Sequence, residues 1–107
     1  MKLSETIKLE FSKDNLLLLL SYGQKTNKSP YSHKQIAEWC ESFWNKYSDI
    51  DAPPEIEKVM PILADVETQW DLYLANTYSS SELKKLDFDS VNLPVDWFKN
   101  WSTTTDA

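Results

Sequence analysis

The sequence predicts a mostly α-helical protein, a small single-domain bundle of four to five helices. The strongest observation is a stripe of bulky side chains that recurs every three or four residues, as on one face of a helix. The stripe comprises Ile36, Trp39, Cys40, Phe43, Trp44 and Tyr47. Five Trp and a single glycine suit packed helices and disfavour β architectures built on tight glycine turns. A length of 107 residues is enough for one hydrophobic core.

The N-terminal residues 3–11 are ambiguous between strand and helix. Residues 7–11 alternate between apolar and polar with the period of a strand, while three apolar residues of the segment also match a helical i, i+4, i+8 row. We interpret the segment as a short extended arm. A strand needs a partner, which is either the alternating stretch 91–95 or a second copy of the chain. A homodimer joined through the arm is therefore one of the two alternatives.

The first helix is predicted over residues 15–22. Ser12 or Asp14 can accept hydrogen bonds from the free amides at its start. The helix contains five consecutive leucines, a run typical of a helix buried in the core but far too short to span a membrane. Gly23 is expected to end the helix in the left-handed conformation.

The stripe helix has the most clearly predicted start. Ser32 and Gln35 form the Ser-x-x-Gln pattern of a capping box, in which each side chain bonds the backbone amide of the other residue. Tyr31 and Ile36 occupy the two positions of a hydrophobic staple around that cap. The helix should continue to about Tyr47.

A third helical segment follows the linker 49–54, in which Asp51 is placed to cap it. Its apolar residues form one stripe over residues 56–74, interrupted by Pro61. Proline disrupts a helix interior, so the segment is either one kinked helix or two helices meeting near Met60. The stripe keeps its phase across the proline, which favours the kink.

Two short elements complete the predicted bundle. A Ser-x-x-Glu capping box beginning at Ser79 predicts a short helix to Leu86. Pro94 is tolerated in the first turn of a helix, so a last helix should start there and bury its aromatic residues. We therefore expect one helical domain over residues 1–101 and a flexible tail over residues 102–107.

The charge is acidic and unevenly distributed. The formal net charge is −6, with seven Lys and five acids in residues 1–48 but four Lys and twelve acids in residues 49–107. The second half, at −8, therefore suits a basic partner as well as simple solvation. The chain contains no Arg, the residue best suited to bidentate contacts with phosphate and guanine, which disfavours nucleic acid.

Groups for nucleophilic catalysis are scarce. His33 is the single histidine, and at the first position of its helix it is expected to be exposed to solvent. Cys40 lies in the aromatic stripe, where a buried thiol is inert. The two lie on the same helix about two turns, or ~10 Å, apart. We therefore expect no enzymatic activity.

The sequence also indicates no metal or cofactor. The pairs Asp49/Asp51 and Asp87/Asp89 resemble the start of a calcium loop but lack its glycine and its terminal glutamate. A single cysteine excludes an internal disulfide, and no signal peptide is recognisable, so a cytoplasmic location is expected.

The remaining function is protein binding. One face of the third segment, opposite its buried stripe, combines acids with a large apolar residue, as interfaces often do. The candidate partner-binding residues are Glu57, Asp65, Thr68, Asp71 and Leu72. We interpret the chain as an acidic non-enzymatic protein-interaction module, such as an inhibitor, an immunity-type protein or an adaptor, that binds a basic protein. The alternative is a helix-turn-helix-like DNA-binding regulator that uses residues 16–47.

Overall fold

The computed structural model describes residues 7–25 and 29–106. Within these ranges the chain forms six α-helices and one 3-10 turn, so the predicted helical fold class is confirmed. The helices are α1 (Lys13–Gly23), α2 (His33–Tyr47), α3 (Pro54–Glu57), α4 (Met60–Thr77), α5 (Ser80–Lys85) and α6 (Val95–Asp106), with the 3-10 turn at Phe88–Ser90 between α5 and α6. No strand occurs in the part of the chain that the structure describes.

Two helix pairs dominate the packing. Helix α2 packs along α4 and α1 packs along α6, while α1 also contacts α2. The buried apolar side chains of all these helices belong to one hydrophobic cluster. Trp39, Phe43 and Phe98 are its largest fully buried members. The predicted stripe helix α2 therefore lies at the centre of the fold.

Helix α1 is capped by one of the two residues predicted for that role. The amide of Asn15 donates to Oγ of Ser12 at 3.2 Å, so Ser12 is the N-cap. Leu16 and the adjacent Leu19 and Leu20 are fully buried, whereas Leu18 is 40% exposed. The leucine run is apolar throughout but buries mainly one side of the helix.

The prediction for Gly23 is wrong, because none of the described residues has a positive φ angle. Gly23 is the buried last residue of α1. A Cβ atom added there would lie 2.1 Å from Cδ1 of Phe98, well inside van der Waals contact. The glycine is needed for the close approach of α1 and α6, and not for a left-handed turn.

The capping box of α2 is confirmed. The Gln35 amide donates to Oγ of Ser32 at 3.1 Å, and the Ser32 amide donates to Oε1 of Gln35 at 2.8 Å. The same Ser32 hydroxyl donates to Oδ1 of Asp89 at 2.7 Å. One residue therefore caps α2 and links it to the 3-10 turn before α6.

The described part of the N-terminal arm, residues 7–11, packs on its own chain. Ile7 is only 4% exposed, and the Trp39 indole Nε1 donates to the Leu9 carbonyl oxygen at 3.1 Å. The Phe11 ring stacks on Phe43 with centroids 5.1 Å apart. Residues 7–10 form neither strand nor helix, so the predicted pairing with the stretch 91–95 is wrong for them, while pairing with a second copy stays a prediction. Residues 3–6 lie outside the described ranges.

The favoured interpretation of one kinked helix around Pro61 is also wrong, and the alternative of two helices meeting near Met60 is correct. Helices α3 and α4 are separate, and Pro61 lies in the first turn of α4. A backbone N–H in the first turn has no intrahelical acceptor, so proline loses no hydrogen bond there. Ile56 and Val59 remain buried, so the apolar stripe does keep its phase across the break. Asp51 is exposed and caps nothing, because Pro53 occupies the N-cap position of α3 without a side-chain bond.

The capping box at Ser79 is confirmed, since its Oγ accepts from the Glu82 amide at 3.2 Å and Oε1 of Glu82 accepts from the Ser79 amide at 3.0 Å. Helix α6 continues to residue 106, through the segment 102–106 that the sequence assigned to a flexible tail. Thr105 is 5% exposed and lies one turn after the buried Trp101. Packing against the core therefore continues beyond the last aromatic residue.

Candidate functional site

The five predicted partner-binding residues all lie at the surface. Asp65, Thr68 and Leu72 follow one another at intervals of three and four residues along α4, which places them on one face. Leu72 is 47% exposed, a large fraction for a leucine. Asp71 is exposed beside them, and Glu57 is exposed at the end of α3, eight residues before Asp65 in the chain.

A groove of about 600 Å³ separates α4 from α6 on one side of that face. It is called the Trp97 groove here. Its lining consists of Pro61, Ile62, Asp65, Gln69, Trp97, Asn100, Trp101 and Thr104. Two indole rings and one carboxylate thus share a single concave surface, and none of these lining residues is basic.

Asp65 is held in this groove by a specific contact. Its Oδ2 accepts a hydrogen bond from Nε1 of Trp101 at 2.6 Å, and the Gln69 Nε2 lies 3.5 Å from its Oδ1. Trp101 is only 6% exposed. A buried indole normally needs a partner for its N–H, and here the partner comes from a neighbouring helix. Asp65 therefore joins α4 to α6 as well as carrying charge at the surface.

Trp97 forms the aromatic wall of the groove. Its ring meets Tyr73 edge-to-face with centroids 6.0 Å apart, and meets Trp101 with centroids 6.3 Å apart. Trp97 is half-buried, so part of its surface faces solvent. Rings held by such contacts present a fixed surface to a ligand.

A second groove, of about 480 Å³, lies on the other side of the α4 face, between the end of α2 and the start of α4. It is called the Trp44 groove. It is lined by Trp44, Tyr47, Ser48, Ile50, Ala52, Glu57, Met60, Pro61 and Ala64. Ile50 is 58% exposed, more than any other large apolar residue described. Glu57 supplies the acidic group of this groove.

Pro61 lines both grooves, so they meet at the start of α4. Together with the exposed face of the helix they form one continuous region, which we call the α4 surface. It contains all five predicted residues: Asp65 lies in the Trp97 groove, Glu57 in the Trp44 groove, and the other three extend toward the C-terminal half of α4.

The edge of the α4 surface next to α2 is electrostatically negative. Burial raises the pKa of Glu67, and the nearby carboxylates of Glu41 and Asp71 raise it further. Carboxylates raise one another's pKa when their negative charges are close. A cation placed at this edge would therefore be attracted by several acids together.

The apolar part of the α4 surface was not predicted from the sequence. Trp44 and Trp97 were assigned to the core, but both are only half-buried and line grooves. Ile50 lies between two acids in a polar linker, where an isolated large apolar residue is a usable signal for an exposed anchor. The two tryptophans gave no such signal, because their helical spacing is the same as that of buried residues.

His33 is not exposed as predicted, because only 2% of its surface is accessible. Its Nε2 lies 3.0 Å from the Gly23 carbonyl oxygen, and its Nδ1 accepts from the Leu93 amide at 2.8 Å. A carbonyl can only accept, so Nε2 carries the proton and the ring is neutral. Burial lowers the pKa of His33, although the bond to Gly23 opposes this.

Ser32, His33 and Asp89 line a small polar cavity of about 330 Å³, residue types found in hydrolytic triads. The required bonds are absent from it. Ser32 donates directly to Asp89, and both ring nitrogens of His33 are bonded to backbone groups. The imidazole therefore has no nitrogen with which to take a proton from the serine.

Cys40, the other residue considered for catalysis, has no solvent access, and burial raises the pKa of its thiol. Of the two aspartate pairs that resembled calcium loops, the pair Asp87/Asp89 is engaged in hydrogen bonds within the chain. Asp87 accepts from the amide of Asp89 at 3.2 Å, and Asp89 accepts from Ser32. Within residues 7–25 and 29–106, no group of three or more His, Cys, Asp or Glu is placed to hold a metal ion, and no helix is long and apolar enough to cross a membrane.

Two contacts bear on the DNA-binding alternative over residues 16–47. Lys34 Nζ lies 2.6 Å from Oε1 of Glu38, so this cation of α2 is already paired. The N-terminus of α2, where a phosphate would approach, is faced by the carboxylate of Asp89 through Ser32. Both contacts weaken the attraction of α2 for a nucleic-acid backbone.

No family model, curated protein or solved structure matches the chain.

Proposed function

We propose that the chain is an acidic, non-enzymatic protein-interaction module that binds a basic partner protein through the α4 surface, as inhibitors, immunity-type proteins and adaptors do. The observation that carries this proposal is the meeting of two grooves at Pro61, each with exposed aromatic surface and a carboxylate at its side. Interfaces combine apolar anchors with charged groups that steer the encounter. Ile50 and Leu72 supply exposed apolar anchors.

The chemistry of the partner follows from the charge. Residues 49–107, which include most of the α4 surface, carry a net charge of −8. Glu57 and Asp65 place acids inside the grooves, and the acids around Glu67 lie at the edge. A partner that brings lysine or arginine side chains to this surface would be attracted over a distance comparable with the Debye length.

The absence of enzymatic activity is part of the same proposal. Its support is that the imidazole of His33 is fully occupied by backbone bonds and that Cys40 is buried. A free thiol suits a reducing compartment such as the cytoplasm, in which we place this function.

Charge reversal on the α4 surface tests the proposal. The partner is first captured from the native host with the wild-type chain and purified, and its affinity is then measured by calorimetry. Because Glu57 and Asp71 are exposed, Glu57→Lys and Asp71→Lys should leave the fold intact. Reversal of two interfacial charges should weaken binding by about tenfold or more and flatten its salt dependence.

The matched control is Glu10→Lys, which makes the same charge change at an exposed residue that lines neither groove. It should leave the affinity within about twofold of the wild type, since distant surface charges are largely screened. The proposal is contradicted if the two α4-surface variants bind as tightly as the control, or if affinity does not change with salt.

A further inference from the structure

We propose that the Trp97 groove is a binding site for an arginine side chain of the partner protein. This inference rests on the proposed function and names a recognition site within it. The groove brings together the carboxylate of Asp65 and the indole rings of Trp97 and Trp101 within about 600 Å³. That volume is within the range of specific ligand sites, ~300 to 1,000 Å³.

The residues that line the groove favour a positively charged ligand. Aromatic ring faces attract positive charge through their quadrupole, and tryptophan does so most strongly. Asp65 adds a formal negative charge, while none of the residues that line the groove is basic. An anion would be repelled by the Asp65 carboxylate, and a neutral ligand would gain neither the cation–π nor the ionic contribution.

The carboxylate is preorganised for such a ligand. Trp101 donates from Nε1 to Oδ2 of Asp65 at 2.6 Å, which fixes the orientation of the acid. The Oδ1 atom has a weaker neighbour, the Gln69 Nε2 at 3.5 Å, which is at the limit of a hydrogen bond. Oδ1 can therefore accept a charge-assisted bond from a ligand at little cost in rearrangement.

The guanidinium of arginine fits the groove better than the ammonium of lysine. Its planar group can lie against an indole ring while its edge donates to a carboxylate. Asn100 and Thr104 on the α6 side, and Gln69 on α4, provide further oxygen acceptors for its five N–H groups. The Thr104 hydroxyl donates to the Asn100 carbonyl at 2.9 Å, which leaves its oxygen lone pairs available.

The test uses short blocked peptides as probes and the indole N–H resonances of the ¹⁵N-labelled protein as reporters. The two peptides are acetyl-Ala-Arg-Ala-amide and the same peptide with citrulline, the neutral urea isostere of arginine. Arginine peptide should shift the Trp97 and Trp101 resonances saturably, while those of Trp39 and Trp70 stay in place because neither residue lines the groove. Citrulline peptide should bind about tenfold more weakly or not at all.

Two isosteric variants separate the site from the general acidity of the chain. Asp65→Asn keeps an oxygen that can accept from Trp101 but removes the charge, so it should lose about tenfold in affinity for the arginine peptide. Glu10→Gln removes the same charge at an exposed residue that lines neither groove and should bind the peptide like the wild type. Unchanged near-ultraviolet circular dichroism would show that both variants keep the native packing.

Three outcomes would overturn the inference. It fails if arginine and citrulline peptides bind equally, if Asp65→Asn binds like Glu10→Gln, or if a free diamine such as putrescine binds more tightly than the arginine peptide. Failure here is distinct from failure of the proposed function, which is judged by the affinity of the whole partner for the Glu57→Lys and Asp71→Lys variants.

Discussion

The backbone amide of Leu93 donates a 2.8 Å hydrogen bond to Nδ1 of His33, 60 residues away in the chain. The other ring nitrogen, Nε2, is bonded to the carbonyl of Gly23. One neutral imidazole therefore connects the end of α1, the start of α2 and the segment that leads into α6. The ring also lies against Phe98, with centroids 4.2 Å apart, so its environment is both hydrogen-bonded and apolar.

We expect the free energy of unfolding to fall as the pH is lowered through about 6.5. Protonation of His33 would place a second N–H at Nδ1, facing the Leu93 amide, which also donates. Burial lowers the pKa of His33 below its ordinary 6.5, so the unfolded chain binds the proton at a higher pH than the folded protein does. The stabilisation is complete above pH 6.5 and is lost toward the lower pKa of the folded state, with a slope of at most about 1.4 kcal/mol per pH unit.

Urea denaturation between about pH 7.5 and 5.5 measures this slope. His33→Gln removes the titration while keeping a donor and an acceptor, so the difference between variant and wild type isolates the histidine from the carboxylates. An independent measurement is the titration of the imidazole C–H resonances in the native protein. A native pKa at or above 6.5 would show that the neutral ring does not contribute as described.

Gly23→Ala should destabilise the protein even though alanine is the better helix former. Alanine gains at most about 1 kcal/mol in helix propensity. Its methyl group would lie 2.1 Å from Cδ1 of Phe98, a fully buried ring, and forced overpacking costs typically about 1 to 3 kcal/mol. We therefore expect a net loss on the order of 1 kcal/mol in thermal or urea unfolding.

A double-mutant cycle identifies the cause of that loss. Phe98→Leu removes part of the ring that Gly23→Ala would meet, so the second substitution should cost less in the Phe98→Leu background than in the wild type. Equal costs in the two backgrounds would mean that the glycine is needed for some other reason.

Ser32→Ala should cost more stability than Ser79→Ala. Both serines cap a helix through the same capping box, and loss of such a cap costs about 0.5 to 2 kcal/mol. Only Ser32 also donates to a distant carboxylate, that of Asp89, and it is half-buried whereas Ser79 is exposed. We expect the difference to be about 1 kcal/mol in urea unfolding. Similar costs for the two variants would show that the bond to Asp89 contributes nothing.

Local patterns in the sequence predicted those features that depend on residues close together in the chain. The capping boxes at Ser32 and Ser79 and the helical phase of the α2 stripe are of this kind, and the structure confirms them. In each case the partners are three or four residues apart, so the pattern and the physical contact coincide.

Two of the errors concern contacts between distant residues. The local sequence predicted a left-handed helix end at Gly23 and an exposed first-turn residue at His33. Their actual roles depend on Phe98 and on Leu93, which follow 60 or more residues later. The Trp97 groove could not be predicted either, because it is formed by the spacing between α4 and α6, which no local pattern encodes.

Cys40 should react with a thiol reagent only when the protein opens. The residue has no solvent access, and burial raises the pKa of its thiol, so the reactive thiolate is scarce in the native state. Labelling with a chromogenic disulfide should therefore be slow in native buffer and should accelerate with urea in proportion to the unfolded fraction. A matched control is the double variant Cys40→Ala/Ser42→Cys, which places the single thiol at an exposed residue of the same helix and should label rapidly. If native Cys40 labels as rapidly as this control, the thiol is accessible to solvent. Cys40 would then be available as a nucleophile, and the enzymatic interpretation would gain support.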